Sequence, residues 1–576
     1  MTSALPTTTS NKQGSLAHGS WRRVTGRIVV GAVCALTASS LLMPSISLAA
    51  EWIDVDGNQY NAGTAAGDDA GTWKWDGADD MQLNGYSGGQ ISAGGKLNVT
   101  YNGNNTVTSN TGRGIEARNS KNEDAELNIQ GNASSTLNVN SKNEAIYSSE
   151  DINISGEGTI NATSATNDGI EANGGNLTIK GNGTVTGTGA SDGIRADGNI
   201  TIDSSGKVVA KATNDQGLDV GDNLTIKGEG QVTASSEKDQ AISCGGNIDI
   251  SGGSRVEANA ENEVAVFANG SAKMTNATFT ATGVGYGIYA YKGITFDHAT
   301  VMARASAHAD EAIAIYSDED DIIIKNGSLV DALAAGENSS AIHSFNYQPG
   351  KGGGHIYISD SVVNAIARYA KGDSNTPNPY DDGQNPTSPG LNIGIFAVTS
   401  GGVKPATISI TRSKITAEGD TAAIFAVVTS EDGKEMGAIK IKDANILTPA
   451  GGKIVNYYAT ETWDNGNGNT TTTHDSGQTI GTGDATISDI NDPSVAKSAV
   501  IASPETPATD TKPEAKPQTA KTTKAAATTK TKGATLAIGN AGLAATGDAS
   551  LVSAIAGAFA GLAALGTGII TRRKRS

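Results

Sequence analysis

One apolar position recurs along the middle of the chain with an unusual regularity. It is Ile146, Ile170, Ile194, Leu218, Ile242 and Val266, each 24 residues after the last. Ile91 and Ile115 stand the same distance apart upstream, and Ile288, Ile315 and Ile342 continue the series with steps of 22, 27 and 27. Ile395 and Ile424 extend it past insertions. A second apolar pair recurs inside each unit, as Leu177/Ile179, Ile200/Ile202, Leu224/Ile226 and Ile248/Ile250. A third site follows as Val185, Val208, Val232, Val256, Phe279 and Val301. Apolar and polar residues alternate around each site, and Gly, Asn and Asp separate them, so each unit predicts three short strands and has no room for a helix.

Three strands in 22–24 residues make one turn of a right-handed parallel β-helix, in which each strand pairs with its equivalent about 4.8 Å away. A propeller blade needs four strands, and a sandwich does not keep a fixed register. The pattern therefore predicts an all-β coil stack over residues 91–448. Residues 51–90, with Trp52, Trp73 and Trp75, are expected to cover the first coil, where an open core would face water, or to offer a Trp-based sugar site. Residues 449–491, with Tyr457, Tyr458 and Trp463, are expected to cover the last.

The residue after each first-strand aliphatic should point outward. That series runs Glu116, Tyr147, Glu171, Arg195, Asp219, Ser243, Phe267, Tyr289, Tyr316, His343, Phe396, Phe425. Its early members are charged. Its last six, Phe267, Tyr289, Tyr316, His343, Phe396 and Phe425, are aromatic or His in a chain that is 5% aromatic. Coil spacing would align them as a stripe, on which sugar rings could stack. The other reading is a second small core beneath inserted segments such as 372–390. An acidic series also precedes the first strand: Glu144, Asp168, Asp192, Asp215, Asp239 and Glu263. Stacked carboxylates repel unless something bridges them, which makes Asp168, Asp192, Asp215 and Asp239 candidate calcium ligands. Alternatively they form a turn ladder that accepts backbone N–H groups.

The two ends have a different character. Lys12, Arg22, Arg23 and Arg27 precede an apolar run from Ile28 to Met43, and Ser47-Leu48-Ala49-Ala50 closes it with small residues. This is the layout of a secretory signal, with cleavage expected near Ala49 or Ala50, and it assigns residues 1–50. Residues 492–542 are rich in Pro, Thr, Ala and Lys, as in Thr511-Lys512-Pro513-Glu514-Ala515-Lys516-Pro517, and read as an extended tether. Residues 543–576 hold Leu543-Ala544-Ala545-Thr546-Gly547, an apolar stretch from Ala549 to Ile570, and Arg572-Arg573-Lys574-Arg575. As a helix the apolar stretch would reach roughly 33 Å, enough to cross a membrane.

This order resembles the sorting signal of LPxTG-type wall-anchored surface proteins, in the LAxTG variant used by sortases of high-GC Gram-positive bacteria. The resemblance implies that a sortase cuts between Thr546 and Gly547 and joins Thr546 to peptidoglycan. Ala544 stands where the commoner pattern has Pro, a departure that bears on which sortase acts. Membrane contact would then occur only through the C-terminal segment before sorting.

The full chain carries a formal charge of -18. Removing the signal's four positive charges and the net three after Thr546 leaves about -25, so no basic face is available for nucleic acid. Cys244 is the single cysteine outside the signal, so stability must come from a core or a metal.

The unit Asn167-Asp168-Gly169-Ile170-Glu171-Ala172, Asn176-Leu177-Thr178-Ile179, Gly183-Thr184-Val185 is similar to a pectin-lyase-like β-helix family described as carbohydrate-binding. Over residues 80–450 that resemblance implies polysaccharide binding and bound calcium. Enzymes of this fold need clustered carboxylates with a base or cation. His355, Asp320-Asp321 and Arg195 do not form such a set, so no catalytic activity is expected. Taken together the residues predict a wall-anchored β-helix that binds polysaccharide or host glycan, or else a structural or protein-binding adhesin stalk, with a polysaccharide lyase or hydrolase as the least favoured reading.

Overall fold

The computed structural model describes residues 50–120, 124–306, 311–346, 354–370, 391–400, 406–430, 437–449, 454–463, 470–480 and 496–503. The expected sorting signal, and the expected signal segment apart from Ala50, lie outside these residues. The expected tether 492–542 starts too early, because its residues 496–503 are described and Ser498–Ala502 is a strand with Ala499 and Ile501 in the core. Among the described residues every regular element is a strand, and no helix is long and apolar enough to cross a membrane.

The strands form three long sheets whose members come from successive coils, so the molecule is a parallel β-helix. In the first sheet, Ile115 pairs in register with Ile146, then Ile170, Ile194, Leu218, Ile242, Val266 and Ile288. The column continues through Ile315, Ile342, Ile395 and Ile424. The second sheet stacks Leu177, Ile200, Leu224 and Ile248, and the third stacks Val185, Val208, Val232 and Val256. These aliphatics lie almost wholly out of water in one continuous core. Each buried Ile, Leu or Val contributes about 1.5–3 kcal/mol, and parallel register lets the same side chain pack against its own kind from coil to coil.

Between the third and first sheets the chain bends at one small residue. It is Gly114, Gly169, Gly193, Gly217, Gly287 and Gly394 in six coils and Ala145, Ala241, Ala265, Ala314, Ala341 and Ala423 in six others, with Gln90 in its place in the first. A Cβ added at Gly193 would stand 2.3 Å from Lys211 N and 2.7 Å from Gly217 O, so neighbouring backbones close in on this position. Two consecutive residues, the small one and the aliphatic, both face the core there.

A second corner is held by side chains. Asp151 Oδ1 accepts the backbone N–H of Asn176 at 2.7 Å. Asn176, Asn199, Asn223 and Asn247 then each accept the N–H one coil on, at 2.9, 3.2, 2.9 and 2.9 Å. The ladder satisfies donors that a parallel sheet would otherwise leave open at its turn.

The coils lengthen toward the C-terminus. The first-sheet strand Ile146–Ser148 has 3 residues, whereas Asn338–Asn346, Asn392–Ser400 and Ala422–Ser430 have 9 each.

At the N-terminal end, Trp52–Val55 pairs antiparallel with the first-coil strand Ile91–Gly94. Trp73 and Trp75 are buried with Met81 and Leu83, and Trp75 Nε1 donates to Ala78 O at 3.0 Å. Trp52 is half-buried beneath the Arg118 guanidinium, 5.5 Å from the ring centroid. Beyond the last coils, Ile454–Trp463 and Thr470–Ile480 pair as an antiparallel hairpin. The strand Ser498–Ala502 returns to lie in the third sheet between Lys414–Gly419 and Asn445–Thr448, antiparallel to both.

Candidate functional site: a furrow along the first corner

Because two consecutive residues face inward at the Gly/Ala bend, the residues on either side of them face outward and converge. One column stands two residues before the core aliphatic, the other one residue after it. Arg113 of the leading column binds Glu116 of the trailing one, and Tyr286 meets Tyr289 with ring centroids 5.3 Å apart. The outer side of this corner is therefore a longitudinal furrow filled by its own side chains.

Its N-terminal half is charged. Arg113 Nε lies 2.7 Å from Glu144 Oε2, and its guanidinium sits 3.4 Å over the Tyr147 ring. Asn167 Nδ2 donates to Glu144 at 2.6 Å. Burial raises the Glu144 carboxyl, but the bonds from Arg113 and Asn167 outweigh it and hold the group below its ordinary value. Glu171 behaves in the opposite way. Burial, then the charge of Asp168, push it up to about 7, although Arg195 Nη1 is 3.0 Å away. That guanidinium is shared with Asp197 at 2.6 Å and Asp219 at 3.4 Å, so no single carboxylate has its full charge. Burial raises Asp168 to about 6 and lifts Asp192 further.

The acidic series divides between two positions. Asp168 and Asp192 stand in the leading column. Asp168 Oδ1 accepts the N–H of Asp192 at 2.9 Å, and Asp192 Oδ1 accepts that of Gln216 at 2.7 Å. Asp215 and Asp239 are one residue out of step. Gln216 and Gln240 occupy the column in those coils, and Asp239 Oδ1 caps the N–H of Gln240 at 2.8 Å. These carboxylates do not fit a shared calcium ion: Asp168, Asp192 and Asp239 accept backbone N–H groups, and no three of the four converge. Among the described residues the one converging acidic group is Asp76, Asp79 and Asp80, half-buried to exposed, in which Asp76 Oδ1 already accepts the N–H groups of Ala78 and Asp80.

The C-terminal half is apolar. Phe267, Tyr289, Tyr316, His343, Phe396 and Phe425 do align, by direct strand register. They are not a surface stripe. Tyr289, Tyr316, Phe396 and Phe425 are buried in a second hydrophobic cluster with Val264, Tyr286, Ile313, Phe345 and Ile393, and Phe267 packs half-buried against it. Of the two readings open from the sequence, the small second core is the one these positions occupy. Sequence reasoning missed the leading column, Val264, Tyr286, Ile313 and Ile393. Its signal was present two residues before each core aliphatic.

Three polar groups are enclosed with the rings. Asp318 accepts the hydroxyls of Tyr289 and Tyr316, each at 3.0 Å, and Glu311 accepts that of Tyr286 at 2.8 Å. Burial raises both carboxyls, Glu311 to about 7. His343 is 2% exposed, stacked on Phe396 at 4.5 Å and edge-on to Tyr316 at 5.2 Å. Neither ring nitrogen has a hydrogen-bond partner, and burial holds the imidazole down to about 3.

His355 donates its N–H to Asp321 and accepts that of Thr407 on Nδ1, a structural role at a turn. Comparison of the chain with protein-family models, with curated proteins and with solved structures finds no match.

Proposed function

We propose that this chain is a surface-displayed rod: a β-helix of right-handed sense, exported by the segment 1–50, tethered through the part of the Pro/Thr/Ala/Lys-rich segment that follows residue 503 and joined to peptidoglycan at Thr546. The observation that supports the rod is the uninterrupted core. Thirteen first-sheet strands from Ile91–Gly94 to Ala422–Ser430, at ~4.8 Å per step, give a stack of roughly 58 Å. Inter-coil hydrogen bonds, an Asn ladder and a filled furrow all resist bending of such a stack. On this reading the aromatic column stiffens the wall-proximal half of the rod, and the rod acts as an adhesin stalk.

Polysaccharide or host glycan is the partner this reading assigns, and contact falls to the flat outer face of the second sheet. There Asn98, Asn128 and Asn153 hydrogen-bond in a row, and Thr178, Thr201 and Thr225 stack in register. Such rows present hydroxyl and amide groups at a spacing near that of a sugar unit in an extended polymer. No catalytic step is assigned.

A glycan array probed with the exported chain tests the partner. Binding that survives Phe267→Ala but falls on replacing Thr201 and Thr225 by Glu supports contact through the flat face. No binding to any glycan leaves the structural or protein-binding stalk. The anchor is tested separately: Thr546→Ala should move the chain from the wall fraction to the membrane or medium, and unchanged wall attachment would refute it.

A further inference from the structure

The strand Ser498–Ala502 departs from every other strand of the third sheet among the coils. It runs antiparallel, and it is bonded along both edges. Ile415 faces Ile501, Thr416 faces Val500, Ala417 faces Ala499 and Glu418 faces Ser498 on one side. Asn445 faces Ala502 and Ile446 faces Ile501 on the other. Ala499 and Ile501 are fully buried in the main core. The approach is fixed as well, since Gly419 N donates to Lys497 O and Ala423 N to Ala496 O, each at 2.9 Å. The segment therefore touches the third sheet, the bend and the first sheet of one coil.

We propose that this strand is a two-sided clamp through which tension from the C-terminal side enters the β-helix. The source of tension rests on the anchored-rod reading; the clamp itself rests on the topology. An edge strand peels from its neighbour one hydrogen bond at a time. A strand held on both edges has no such route. It leaves after Asn445–Thr448 has parted, or it slides lengthwise, and sliding breaks all its pairs together and draws Ile501 through the core. Any pull on the residues after 503 thus loads Lys414–Gly419 and Asn445–Thr448 at once, and through Ala423 the first sheet. The final turn of the stack is locked by the same segment that leads to the tether.

Single-molecule stretching of the full chain between its ends tests this. Freeing residues 449–503 lengthens the chain by roughly 180–200 Å. In the native sequence that step should need a force no lower than the steps that unravel the coils. Ile501→Asp places an unpaired carboxylate in the core, and should lower the force of this step about two-fold or more. If the step comes first, at low force, equally in both proteins, the clamp is wrong. A second pair of variants guards against simple misfolding of that substitution. Ala417→Cys with Ala499→Cys joins residues that face each other across the pairing, and Cys244 is buried away from them. Oxidation should delete the 449–503 step and reduction restore it. A step that persists after oxidation would place the strand elsewhere and overturn the proposal. Unchanged wall attachment in the Thr546→Ala assay would remove the proposed source of tension and leave these force measurements unchanged.

Discussion

His343 offers a sharp test of the second core. Replacing it with Phe keeps a ring between Tyr316 and Phe396 and removes two buried nitrogens that lack partners. An unsatisfied buried polar group costs about 1–3 kcal/mol, so His343→Phe should stabilise the region by an amount in that range at pH 7.5. The acid side adds a second signature. The native imidazole is held at about 3 against an ordinary 6.5, because burial disfavours its charged form. A depressed value means the folded state keeps the ring neutral while the unfolded chain takes up a proton. The His contribution is therefore intact above pH 6.5 and is lost as pH falls toward 3. At 1.36 kcal/mol per unit, lowering the pH to 5 should cost the native protein about 2 kcal/mol that the variant does not lose. A coil stack does not unfold in one step, so a global melting curve is the wrong assay. Hydrogen exchange of the strands Glu311–Ser317, Asn338–Asn346 and Asn392–Ser400, at both pH values, measures the local opening free energy instead. Comparing variant with native at each pH cancels the other titrating groups. A variant that exchanges faster at pH 7.5, or that loses protection in parallel with the native chain on acidification, would refute the argument.

Three further outcomes follow from the same geometry. Glu171 is raised to about 7, so its contribution is full below its ordinary 4.5 and is lost as pH rises through 7; Glu171→Gln should remove up to about 3 kcal/mol of that decline, seen as slower exchange in Ile170–Ala172 at pH 8. Gly193→Leu drives a side chain into the Lys211 and Gly217 backbones and should cost about 1–3 kcal/mol or more; unchanged urea resistance of the flanking coils would show that the bend can open. Adding calcium after chelation should leave the protection of coils 144–239 unchanged, and a rise there would show that the ladder carboxylates turn from backbone to metal.

The repeat made the architecture legible because the core is one-dimensional. A position that must face its own copy 24 residues later has to stay aliphatic, and Ile146 to Val266 report it directly. In every coil after the first the bend residue is equally constrained, by backbone contact, to Gly or Ala. The site was less legible for two physical reasons. Alternation correctly turns Tyr289 and Tyr316 away from the main core, but direction is not exposure, and burial depends on what else converges on the same side. Then a slip of one residue changes a column. Asp215 and Asp239 fall in the right stretch of sequence, yet Gln216 and Gln240 take the position occupied by Asp168 and Asp192. The returning strand Ser498–Ala502 gave no signal of its own. Its short alternation joins a sheet formed far earlier in the chain, and that pairing is set by topology rather than by local pattern.

The furrow explains why its two halves can differ so much in chemistry on one backbone. At each coil the bend directs one side chain from either flank into the same narrow space. What the fold requires is that the pair satisfy each other and the pairs above and below, not that they be of one kind. Arg113 with Glu116 and Glu144 does this by charge, and Arg195 does it among Glu171, Asp197 and Asp219. Tyr286 with Tyr289 and Tyr316 does it by ring contact, with Asp318 and Glu311 taking the hydroxyls. The cost differs. In the first half burial lifts Asp168, Glu171 and Asp192, whereas the bonds from Arg113 and Asn167 hold Glu144 down. In the second half, among the described residues, His343 is the side chain left with buried nitrogens that lack partners. A column of aromatic residues in such a stack is thus no sign of an open platform. It is one of two ways to fill a corner, and ligand contact has to be sought on faces where side chains do not converge.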